Sequence, residues 1–113
     1  MLFSMSESNV PAPPVSDAYE IAKAGGKHSN WYKQQLGLPS SMLERAIKSF
    51  QLLVGRHESW IQNPTAEYPD FHQWDPRRQR NLIEHHWPAD IARHRDFIRI
   101  IEGILKERGY GNQ

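Results

Sequence analysis

The residues best suited to chemistry in this chain lie in two places. One is the segment Gly25-Gly26-Lys27-His28-Ser29, and the other is His57, set inside a long apolar stripe. In the first, two glycines let the backbone approach a ligand closely, and Ser29 opens a short helical pattern whose free N–H groups suit an anion. Lys27 and His28 add a cation and a titratable imidazole at that helix start, a combination able to hold a phosphate and move a proton. An apolar setting favours the neutral form of an imidazole, which suits His57 to a general base. Each place also has a plain structural reading. Gly-Gly stops a helix, Lys-His makes a solvated turn, and a core histidine bonds a backbone carbonyl.

Three further groups have chemical potential. His86, Asp90 and His94 are spaced four apart, as metal ligands on one helix face are. Pro88 falls between the first two and disturbs that geometry, so no metal is assigned. Arg77, Arg78 and Arg80 can contact phosphates through bidentate hydrogen bonds. Tyr32, one turn beyond the Gly-Gly segment, and Trp74 are candidates for polar support and base stacking. No phosphate-binding loop, dinucleotide fingerprint, nucleophile elbow or HExxH is present, and no cofactor is expected. With no cysteine, thiolate catalysis and disulfides are excluded.

These side chains must be positioned by helices. Residues 41–63 carry Leu43, Ala46, Ile47, Phe50, Val54, His57 and Ile61 within roughly 80° of arc at helical spacing. Asn63-Pro64 ends the run, because a residue before proline is pushed out of the α region. Two short helices precede it, residues 17–24 with Asp17 and Glu20 at capping-box spacing, and residues 30–36 capped by Ser29. Residues 64–74 form a long connection pinned by Tyr68, Phe71 and Trp74. Asp75-Pro76 starts a polar helix over residues 76–86, with Asp75 as its cap, and Trp87-Pro88 breaks it. A last helix, residues 88–108, has an apolar arc of nearly half its circumference, wide enough for two neighbours. No strand pattern competes. The expected fold is all-α: a small helical bundle with two long helices, shorter helices and one long aromatic loop.

At 113 residues there is room for one domain, placed at residues 17–109. Residues 1–16, with Pro11, Pro13 and Pro14, read as a Pro-rich linker, and residues 110–113 as a tail. The formal charge of +1 does not indicate a strongly basic nucleic-acid binder. The N-terminus lacks the basic region and apolar run of a signal peptide, and no stretch has the length of a membrane span. A soluble protein is expected, with no membrane partner.

From about Asp17 to Arg108 the chain resembles a C-terminal module of bacterial polymorphic toxins, the Rhs-type and contact-dependent effectors. The elements that carry the resemblance are AGGKHSNWY, HESWIQNP at the end of the central helix, WDPRRQRNLI, and HHWPADIARH before an Ile/Leu-rich last helix. The resemblance implies a nuclease, an immunity protein as its partner, and action in a target-cell cytoplasm after secretion, or else a cytoplasmic protein. The chain opens with Met and carries no delivery domain, so an orphan cassette, an excised domain or a related non-toxic module is expected. No catalytic residue transfers from the resemblance.

The residues themselves suggest how RNA would be cut without a metal ion, since the ribose 2′-OH supplies the nucleophile. His28 and His57 form the expected acid–base pair, Lys27 holds the phosphate, and Arg77 or Arg78 positions the strand. The pair requires Gly25–Ser29 to fold back to the end of the central helix; otherwise His57 is a core residue. The competing expectation is a non-catalytic interaction or adaptor module, with the broad face of the last helix as its docking surface. An immunity protein is a further alternative.

Overall fold

Every regular element among the described residues is helical. The computed structural model describes residues 17–109, so the expected linker and tail lie outside the described residues. Helices α1 (Ala18–Lys23), α2 (Ser29–Leu36) and α3 (Ser40–Gln62) come first. Two 3₁₀ turns follow, Pro64–Ala66 and Phe71–Gln73, then α4 (Pro76–Asn81), a π-helical turn (Leu82–His86) and α5 (Trp87–Glu107). The expected all-α bundle is what forms. Among the described residues no helix is long and apolar enough to cross a membrane.

α3 and α5 run antiparallel and make the principal pair. Glu58 meets Arg95 at 2.7 Å towards one end, and Ser40 meets Arg108 at 2.9 Å at the other. The stripe of α3 places Leu43, Val54 and His57 inside, and α5 answers with Ile91, His94, Ile100, Ile101, Ile104 and Leu105. Fully burying side chains of this size stabilises the fold by roughly 1.5–3 kcal/mol each. The wide apolar arc of α5 also holds α1, whose Ala18 and Ala22 join the same core. That face is therefore covered within the chain, which removes the docking surface expected for an adaptor. Gly103 sits where α1 crosses, and a Cβ there would land in the Tyr19 ring.

The helix starts differ from expectation in an instructive way. Asp75 caps α4 as expected, accepting from the Arg77 N–H at 2.7 Å. The capping box at Asp17 does not form, and Ser41 lies inside α3 and does not cap it. Pro39 instead opens α3 with extended backbone, its carbonyl accepting from Met42 and Leu43. Ser29 is the first residue of α2, and the capping place goes to His28.

The expected break at Trp87-Pro88 does not occur. α4, the π turn and α5 make one helical run of 32 residues. Proline removes the N–H that would bond four residues back, and its ring crowds that carbonyl. Here the turn before it is widened: Trp87 N–H bonds the Leu82 carbonyl, five residues back. A π turn of this kind absorbs the defect locally and lets the helix continue. Residues 64–74 pack on that junction, as Phe71 is 1% exposed and the Phe71 and Tyr68 rings lie 5.9 and 6.2 Å from Trp87.

Candidate functional site

Because the helix runs on through Pro88, His86 and Asp90, four residues apart, share a side, and Asp90 faces the C-terminal half of α3. Asp90 is the hub there. Its Oδ2 lies 3.3 Å from His57 Nε2 and 3.5 Å from His86 Nε2, and its Oδ1 lies 3.0 Å from Arg93 Nη1. The carboxylate is mostly covered, with its side chain 14% exposed, while His86 is 60% exposed. A shielded carboxylate that orients a solvent-reaching imidazole is the arrangement general acid–base chemistry uses.

The three histidines around this hub differ in what they can do. His57 is buried, and its Nδ1 donates to the Leu53 carbonyl at 2.7 Å. A carbonyl only accepts, so the Nδ1 proton is committed. Nε2 can then donate to Asp90 only when the ring carries both protons. His57 is thus enclosed, with Nδ1 on the Leu53 carbonyl and Nε2 against Asp90, and has no free edge for a substrate. His94, one turn beyond Asp90, turns away, stacking on Phe50 at 5.5 Å with its edge on His57 at 5.6 Å. Its Nδ1 is buried without a hydrogen-bond partner. Burial pulls its pKa below the ordinary value; Arg93 and His57 pull the same way, and Asp90 opposes them. The result is a neutral ring. His86 alone presents a reactive edge: with its Nε2 3.5 Å from Asp90, its Nδ1 is left to act as the base.

His86, Asp90 and His94 do not converge as three ligands, and no group of three such side chains among the described residues could hold a metal ion.

Gly25–Ser29 packs elsewhere. Gly25 takes φ +98°, and His28 takes φ +67°, the only non-glycine residue with positive φ among those described. A left-handed conformation costs a residue with a Cβ about 1–2 kcal/mol. The turn brings His28 Nε2 to 3.7 Å from Asp96 Oδ2, with the His28 ring edge-on to Phe97 at 4.9 Å. Asp96 lies six residues beyond Asp90, about 9 Å along the helix axis. His28 and His57 therefore belong to separate clusters, with the rings of Phe97, Phe50 and His94 between them. The expected His28–His57 pair is not assembled. Lys27 stays with His28, exposed at the mouth of a cavity of about 260 Å³.

The remaining candidates divide. Arg77 is exposed, 3.8 Å from Asp75. Arg78 lies over the Trp74 ring at 4.2 Å, so guanidinium and indole form one stacked unit. Tyr32 is buried at 7% with its ring edge-on to Tyr19, which removes it from any substrate surface. Asp90 as hub and Arg93 as its partner were missed. Their signal was the four-residue spacing of His86 and Asp90, discounted because Pro88 was expected to break the helix.

No protein-family model, curated protein or solved structure matches the chain.

Proposed function

We propose that this chain is a polymorphic-toxin-like effector domain that cleaves RNA by imidazole–carboxylate chemistry without a metal ion. His86 acts as the base and Asp90 orients it. The observation that carries this reading is the exposed His86 imidazole held 3.5 Å from a shielded carboxylate that also binds Arg93.

The His86 imidazole takes the proton of a ribose 2′-OH as that oxygen attacks the adjacent phosphorus. The bond from phosphorus to the 5′ oxygen breaks, and the imidazolium returns its proton to that leaving oxygen. Arg93 has N–H groups beyond the one directed at Asp90, and these suit the charge that builds on the phosphoryl oxygens. Arg77 and the Arg78–Trp74 unit, on the element just before the π turn, hold the strand by phosphate contact and stacking. His57 holds Asp90 in place and does not touch the substrate. An immunity protein as partner and delivery into a target-cell cytoplasm belong to the same proposal.

The test is incubation of the purified chain with RNA and with DNA, with and without EDTA, beside the His86→Ala variant. EDTA-resistant RNA cleavage that His86→Ala abolishes is expected. No cleavage of either nucleic acid would sink the proposal.

A non-catalytic interaction module is the second reading, on a different surface from the one first expected. The outer side of α3 leaves Leu52 65% exposed and Met42 44% exposed. It predicts that His86→Ala leaves any cellular phenotype intact while Leu52→Asp removes it.

A further inference from the structure

The turn at Lys27-His28 has no part in the chemistry assigned to His86 and Asp90, yet it builds the most unusual corner of the molecule. Asp17, Ala18 and Ile21 of the first helical segment, Lys27 and His28 of the turn, and Asp96 of α5 line a cavity of about 260 Å³. Pockets for drug-sized ligands run from about 300 Å³ upwards, so this one suits something smaller, such as a single nucleobase. Its lining is sharply patterned. Of its two carboxylates Asp17 is exposed, and Asp96 stands beside one imidazole nitrogen, His28 Nε2, at 3.7 Å. That nitrogen is buried with no hydrogen-bond partner, in a ring held there by left-handed backbone. A buried polar atom left without a partner is unfavourable, and a ligand that completes it gains by doing so. Lys27 is exposed at the rim, and Ile21 and Ala18 supply apolar wall.

We propose that this cavity is a guanine-selective subsite. It deepens the RNA reading above by naming the base that is read. The edge of guanine presents an acceptor, O6, followed by two donors, N1–H and N2–H. An imidazole N–H beside a carboxylate presents the complementary sequence of one donor and two acceptors. His28 Nε2–H donates to O6, and the two oxygens of Asp96 accept from N1–H and N2–H. Adenine sets its N1 lone pair, cytosine its N3 and uracil its O2 against a carboxylate oxygen, and all three are disfavoured. Lys27 receives the nucleotide's phosphate as a point charge. His28 Nε2 has no solvent-exposed surface, so O6 reaches it only as the Asp96 side chain, itself 27% exposed, gives way. Binding therefore shifts the His28 ring signals.

The experiment titrates the full chain with GMP, AMP, CMP and UMP separately, followed by calorimetry and by NMR of the histidine rings. GMP is expected to bind at least about tenfold more tightly than the other three, the discrimination one good bidentate contact supports. His28 ring signals move and His57 signals stay. Asp96→Asn is expected to abolish the preference, with its fold checked by circular dichroism. Lys27→Gln, at an exposed position, keeps the preference for guanine but loses the advantage of GMP over guanosine. Equal binding of all four nucleotides, no binding of GMP, or GMP binding indifferent to both substitutions overturns the proposal. A chain that selects GMP yet leaves RNA intact supports the subsite and overturns only the cleavage reading. One that cleaves RNA without selecting GMP does the reverse.

Discussion

His57 Nε2 and Asp90 Oδ2 face each other at 3.3 Å across the α3–α5 interface, and this contact joins the scaffold to the candidate site. It separates two roles that a histidine scan would otherwise merge. His57→Ala empties a buried position and frees the Leu53 carbonyl, with an expected loss of stability of about 2–5 kcal/mol. His86→Ala, on an exposed ring, is expected to change stability by less than about 0.5 kcal/mol. It should lower RNA cleavage by about 10²-fold or more, the usual contribution of a general base. Urea unfolding beside a cleavage assay reads both. Equal stability losses for the two variants would show that the assignment of roles is wrong.

Asp90→Asn tests the hub itself. The amide keeps the shape but has one accepting oxygen where the carboxylate has two, so it cannot serve both His86 and Arg93. A stability loss of about 1–3 kcal/mol is expected from the strained hydrogen bonding of a shielded group. Cleavage should fall with it, and restoring stability by cooling should not restore activity.

Much of this arrangement was legible in the residues before any coordinates. The stripe of α3, the two-sided arc of α5, the Asp75 cap and the pinning of the loop by Tyr68 and Phe71 all follow from periodicity and turn chemistry. What periodicity could not show was the consequence of Pro88. A proline in a helical pattern signals a break, and only tertiary packing of Trp87 on Phe71 and Tyr68 makes a π turn the better solution. Expecting a break at Pro88 hid the His86–Asp90 contact. The destination of Gly25–Ser29 was likewise illegible, because a turn of five residues carries no pattern that says which helix it packs against.

Pro88→Ala restores the missing N–H and removes the reason for the widened turn. The turn is expected to tighten to α geometry, rotating the residues before it relative to α5 by up to about 100°. Arg77 and Arg78, before the turn, then swing away from the His86–Asp90 pair, which keeps its i,i+4 spacing. Thermal stability should hold or rise, since alanine is the better interior helix residue by about 3 kcal/mol in isolated helices. Cleavage should fall. A variant that keeps full activity would detach the π turn from the site.

The α1–α5 crossing offers a purely structural control. Gly103→Ala drives a methyl into the Tyr19 ring, and the expected cost is about 1–3 kcal/mol from overpacking. Tyr19→Leu in the same chain should recover part of it. Because the crossing is remote from Asp90 along α5, cleavage by the folded fraction should be unchanged in both variants.

His94 gives the fold a definite response to acid. Its pKa is held below the usual 6.5 first by burial, then by Arg93 and His57, with Asp90 in opposition. As pH falls through about 6.5, the unfolded chain takes up a proton at His94 while the folded chain does not, so unfolding is favoured. The stability that the neutral ring protects is whole above that pH. It declines below it and levels off once the folded ring is protonated too. His94→Phe keeps a ring to stack on Phe50 and cannot titrate. The variant is therefore expected to lose less melting temperature than the parent chain between about pH 7.5 and about pH 5. The decisive quantity is the difference between the two slopes. Parallel slopes would mean that His94 is protonated as readily in the folded chain as in the unfolded one, against the burial and flanking charges that surround it.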